Sequence, residues 1–287
     1  MEKLVSPSQW SKRSNVVKEH VESVTKESDR IRKTIQNKET RFYGDKSTTK
    51  LDIFGLKNKS SAPLFVYISG GYWQDLSGDI SLYPVQPLYD EGIVCVIVDY
   101  TRAPKVSMDE IIDEIIDAAK LILDIAIENG SKSIILSGHS AGSQLCSMIL
   151  TSEWYMNLSA EKRSLFKAVF HLSGIYSLDK LVGTYVNDSL HMDLEMAQRL
   201  SPLNAKNLKR LEKVVLPYAY VIVGERDSPL FIEQAQEFVA NLVKMPNFKE
   251  LHYKVIPKMD HFNLVEDLQQ KNYEITKNIL YLINKLE

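Results

Sequence analysis

Five short runs constrain this chain more than anything else in it: residues 64–68, 93–98, 133–136, 168–172 and 219–223 are apolar and rich in β-branched side chains. They are too short for helices, and their unbroken apolar character suits strands covered on both faces. Between them, residues 108–127 place Ile111, Ile112, Ile115, Ile116, Ala119 and Leu123 at helical spacing, and residues 231–243 and 273–286 do likewise. Such alternation predicts an α/β fold: a mostly parallel, doubly wound sheet flanked by helices. At 287 residues the chain is long for one domain but within the range of a large α/β unit. Residues 14–38 are densely charged and read as a helix lying on the body or a partly mobile arm. The expected organisation is therefore an N-terminal helical segment over 1–45 and an α/β domain over 46–287, with the strandless stretch 176–216 as a cap over the site.

Charge excludes several classes of partner. The 35 basic and 37 acidic residues are spread along the chain for a net charge of −2, which offers no basic face to nucleic acid. The first residues lack the apolar core of a secretory signal, and no later run approaches bilayer-spanning length, so no membrane contact is expected. Cys95 and Cys146 sit inside apolar runs and read as core thiols, which suits a reducing compartment, the cytosol. A small-molecule substrate is the expected partner.

In open parallel sheets, ligands sit beyond the carboxyl ends of the strands. That rule selects residues 69–73, 99–100, 138–140, 173–174, 224–227 and 260–261. Among them, Gly138-His139-Ser140-Ala141-Gly142 has the glycine, serine, glycine spacing of a nucleophile elbow, and it lies between a strand and a helix-compatible run as that motif requires. A serine hydroxyl needs a base, and this fold supplies an acid and a histidine in that order after the serine. His261 follows the last strand-like run and Asp227 the one before it; Asp260 and Asp267 remain alternative orienters of the histidine. The oxyanion of an acyl-transfer intermediate needs preorganised donors. Ala141, at the start of the helix after Ser140, would give one amide, and Gly70 and Gly71 would give others.

The other five histidines take a structural reading: His20 in the charged segment, His139 as the variable motif position, His171 and His252 in strands, and His191 in a loop. No His-Glu-x-x-His, Cys-x-x-Cys, phosphate loop or dinucleotide fingerprint occurs, so neither metal nor cofactor is expected.

Further motifs carry a family resemblance. They are Ser6-Pro7-Ser8-Gln9-Trp10, Tyr43-Gly44-Asp45 with Leu51-Asp52-Ile53-Phe54, Gly70-Gly71-Tyr72-Trp73-Gln74, Ala103-Pro104-Lys105, the elbow at Ser140, Asp227-Ser228-Pro229 and Asp260-His261-Phe262. Together they resemble the kynurenine formamidase (arylformamidase) family of α/β-hydrolases nearly end to end. The resemblance implies hydrolysis of N-formyl-L-kynurenine to L-kynurenine and formate by Ser140, His261 and Asp227. Tyr72 and Trp73 are candidate walls for the substrate, with packing against the core an equal alternative for Trp73. The resemblance also implies a homodimer. Where the family's oxyanion loop reads His-Gly-Gly-x-Trp, this chain has Ser69 in place of the histidine. A hydroxyl braces a loop less well than an imidazole, so a reshaped oxyanion hole with lower activity or altered preference is expected. Two other readings stand beside this one: a general carboxylesterase using the same three residues, and a silent binding protein that keeps the fold.

Overall fold

A computed structural model describes residues 1–57 and 60–286. Eight strands form one sheet: β1 Lys38–Phe42, β2 Lys50–Phe54, β3 Leu64–Ile68, β4 Val94–Val98, β5 Ile134–His139, β6 Phe166–Leu172, β7 Tyr218–Gly224 and β8 Glu250–Ile256, in the order β1-β2-β4-β3-β5-β6-β7-β8. The pairings joining β3 to β8 are all parallel, while β1–β2 and β2–β4 are antiparallel. This is the α/β-hydrolase architecture.

The apolar runs become central strands because helices cover both of their faces. In β3, Leu64, Val66 and Ile68 join the core under helix Met108–Asn129, with its Ile111, Ile115 and Ile122. Phe65 and Tyr67 point the other way, into a second core with Val24 and Ile31 of helix Val16–Thr34 and Ile275 and Ile279 of helix Glu274–Leu286. The two-residue period of a strand sets this division. Ser107 and Glu110 form a reciprocal capping box at the start of helix Met108–Asn129, and Gly130 ends it at φ 70°.

The sheet begins earlier than expected. β1 lies within the segment 1–45 and pairs along its length with β2, so no domain division falls at residue 45. Its sequence, Lys-Glu-Thr-Arg-Phe, has no apolar run because it is an edge strand, where charge guards the unpaired side. The stretch 176–216 contains no strand among the described residues. It is built from 3-10 turns at Asp179–Leu181 and Tyr185–Asp188 and helices Leu194–Arg199 and Ala205–Leu211. Among the described residues no helix is long and apolar enough to cross a membrane.

Candidate active site

Ser140 sits between β5 and helix Ala141–Thr151 at φ 53° and ψ −117°, a conformation that non-glycine residues rarely adopt. Its neighbours explain how it is held there. A Cβ on Gly138 would lie 2.2 Å from the Gly142 carbonyl oxygen, and one on Gly142 would lie 2.1 Å from that of Ile68. The turn therefore closes only with glycine on both sides. The Ser140 amide donates to Leu172 O at 2.9 Å, and Ser143 N donates back to Ser140 O at 3.0 Å. Ala141 is the first helical residue, so its amide has no acceptor within the helix and the helix dipole favours negative charge there.

His261 lies on the loop after β8 and Asp227 on the loop after β7, both almost wholly buried. His261 Nδ1 donates to Asp227 at 2.9 Å from Oδ2 and 3.1 Å from Oδ1. An ionised carboxylate only accepts, so this contact fixes the proton on Nδ1 and leaves the lone pair on Nε2. The two loops meet because Gly224 lets the chain pass close: a Cβ there would lie 2.4 Å from Met259 O. Of the three candidate orienters, Asp227 is the one on His261. Asp260 instead accepts from the amides of Phe262 and Asn263, each at 2.9 Å, and shapes the loop that carries the histidine. Asp267 accepts from Gln270 at 2.8 Å.

Ser140 and His261 share the wall of a cavity of about 410 Å³ with Gly71, Tyr72, His139 and Phe262. Gly70 packs against the serine, since a Cβ there would come within 2.9 Å of Ser140 Cβ. Gly71, at φ +106°, has its carbonyl capped by the amides of Gln74 and Asp75, each at 2.9 Å. The next two residues, Tyr72 and Trp73, also have positive φ. Tyr72 lines the cavity, with its hydroxyl donating to Val5 O at 2.7 Å. For Trp73 the structure decides between the two expected places. The residue is wholly buried in the core, its indole N–H donating to Gln144 Oε1 at 3.1 Å, and it forms no part of the cavity wall. A large ring with one polar atom is satisfied there without a ligand. Ser69 is buried, and its hydroxyl has no hydrogen-bond partner among the described residues.

Two groups that sequence reasoning set aside belong to the site. His139 Nε2 donates to the His261 carbonyl at 2.9 Å, and the two rings lie 4.6 Å apart. Burial, then the nearby His261 and His20, push its pKa well below the usual histidine value, so it stays neutral. The other group is the N-terminal segment: Pro7, Ser8, Val17, His20 and Val21 line the cavity. His20 Nδ1 donates to Glu266 Oε1 at 2.8 Å, Arg13 donates twice to the same carboxylate at 3.0 and 3.2 Å, and Ser11 donates to Asp260. Burial opposes the charge on Glu266, yet His20 and Arg13 outweigh it and hold the carboxyl below its usual range. The available signal was the buried stripe Val16, His20, Val24, Ser28 and Ile31 at near-helical spacing, obscured by the charge around it.

Cys95 and Cys146 are buried and unpaired, and burial pushes both thiols up, so neither is a ready nucleophile. Among the described residues no group of histidine, cysteine or carboxylate side chains is arranged to hold a metal.

Comparison with known proteins gives the family. The BD-FAE family model matches residues 51–254. Kynurenine formamidase of Danio rerio is 33% identical over 98% of this chain and 94% of its own, and that of Salmo salar is 33% identical over 99% and 96%. A solved structure from Silicibacter sp. superimposes with TM-score 0.81 at 21% identity, covering 97% of this chain and 98% of its own. The matches to the two fish enzymes span nearly the whole of this chain and of theirs, and on that ground the chain belongs to the kynurenine formamidase family of α/β-hydrolases.

Proposed function

We propose that this protein hydrolyses N-formyl-L-kynurenine to L-kynurenine and formate, acting in the cytosol. The observation that carries the proposal is the meeting, in one cavity, of Ser140 on its strained turn and His261 on its carboxylate. Ser140 attacks the formyl carbon while His261 Nε2 takes its proton. The amides of Ala141, Gly70 and Gly71 receive the oxyanion. His261 then gives the proton to the departing aryl amine, which leaves as L-kynurenine with a formyl ester on Ser140. Water, deprotonated by the same imidazole, attacks the ester and releases formate. Asp227 holds the ring in the required tautomer and stabilises the imidazolium that forms in each half.

A formyl group is the smallest acyl group, and the crowding of Ser140 by Gly70 and His139 suits it. The larger half of the substrate would occupy the open part of the cavity, between Tyr72, Val186 and the N-terminal helix. The test is release of kynurenine from N-formyl-L-kynurenine by the purified protein, beside hydrolysis of p-nitrophenyl acetate. Fast deformylation that vanishes in Ser140→Ala is expected. Ester cleavage without deformylation would move the protein to the carboxylesterases, and inactivity on both would favour a binding protein.

A further inference from the structure

Apart from tyrosines and the two histidines beside Ser140, the titratable side chains on the cavity wall are His20 and Asp75. His20 is 2% exposed and lies edge-on to Phe262 with ring centres 5.3 Å apart. Its Nδ1 is committed to Glu266, which Arg13 grips from the other side. The ring's other nitrogen, Nε2, has no hydrogen-bond partner among the described residues. Unlike the Ser69 hydroxyl, this nitrogen is not sealed inside the protein and keeps open surface on a residue that lines the cavity. The arrangement repeats that of His261 and Asp227: a buried carboxylate orients an imidazole and leaves Nε2 to act on whatever fills the cavity. Asp75 is exposed at the same cavity, and its carboxylate also has no partner among the described residues. Val17 and Val21, on the outward side of the same helix, give the cavity an apolar flank.

We propose that His20 Nε2 binds the α-carboxylate of the substrate and Asp75 its α-ammonium group, so that the N-terminal helix selects an aromatic amino-acid amide by its zwitterionic head. This rests on the formamidase reading and names the residues that recognise the substrate. It assigns His20 and Asp75 to the two charges of one head group.

The test compares N-formyl-L-kynurenine with the same aryl formamide lacking the α-carboxylate, in the unsubstituted protein, His20→Phe and Asp75→Asn. A charge-assisted hydrogen bond predicts that the unsubstituted protein favours the carboxylated amide by about tenfold or more in kcat/KM. In His20→Phe that ratio should fall close to one. Because the ratio is taken within one variant, loss of folded protein cancels from it. Asp75→Asn, a surface change, should raise KM for both amides and leave their ratio intact. No preference in the unsubstituted protein, or one that survives in His20→Phe, overturns the carboxylate assignment, and an unaltered KM in Asp75→Asn overturns the ammonium assignment. Absence of deformylation by the unsubstituted protein would instead overturn the formamidase reading, and this one with it.

Discussion

The loops after β5, β7 and β8 and the N-terminal segment meet around one cavity, which Ser140, His261 and His20 line and Asp227 does not, yet they are built on different rules. The loops carry Ser140, Asp227 and His261, and backbone geometry fixes them: two glycines at the elbow, one at Gly224, and a carboxylate on an imidazole. The N-terminal wall is fixed by side chains far apart in sequence, Arg13 and His20 on Glu266 and Ser11 on Asp260. In the proposed reading, chemistry is placed by loops of the sheet and recognition by a segment clamped onto them. The clamp is shared, because Asp260 and Glu266 flank His261 on its own loop and the short helix Asn263–Glu266 that follows.

Breaking each side should therefore give a different kind of loss. The largest effect is expected on the loop side: Ser140→Ala should lower kcat for deformylation by about 10⁴-fold or more, and Asp227→Asn, which permits the wrong imidazole tautomer, by about 10³- to 10⁴-fold. Steady-state rates check both, and KM should change little in the Asn variant. Retention of a tenth of the activity in Ser140→Ala would remove the serine from the mechanism.

On the N-terminal side the expected effect is on stability. Arg13→Ala leaves the buried Glu266 carboxylate with one partner fewer and should cost about 1–3 kcal/mol in urea unfolding. The same clamp should depend on pH. The Glu266 and Asp260 carboxyls are held below their usual range against burial, through Arg13 with His20 on the first and through Arg13 with Ser11 and two loop amides on the second. A lowered folded-state pKa means that the stabilisation is complete above the unfolded value, near about 4.3 for glutamate, and is lost as pH falls through the folded value. Unfolding followed from pH 7 to pH 3 should show this loss, and Arg13→Ala should show a smaller one. An identical acid profile in the variant would contradict the clamp.

How much could be read in advance follows the same division. The places of Ser140, Asp227 and His261 in the fold were legible because each follows a strand-like run and the elbow demands glycines at fixed spacing. β1 was hidden because an edge strand is charged where a central strand is apolar, and Trp73 was left between core and cavity because adjacency to Tyr72 does not say which ring meets the cavity. His20 was set aside because its partner Glu266 lies 246 positions away, beyond the reach of any local pattern.

The smallest effect is expected at Ser69, which lies behind the oxyanion loop with its hydroxyl unpaired. Ser69→His should brace the loop and raise kcat a few-fold, at a packing cost of about 1–3 kcal/mol for inserting an imidazole into a closed site. Unchanged kinetics would show that the loop needs no brace.

The central claim, that Ser140 is a nucleophile activated by His261, is tested most directly by covalent trapping. The protein is treated with an aryl organophosphate and the modified residue is located by mass spectrometry, alongside His261→Ala. The account predicts one adduct, on Ser140, formed about 10³-fold or more slowly without the imidazole; an adduct on another residue, or a rate indifferent to His261, would contradict it.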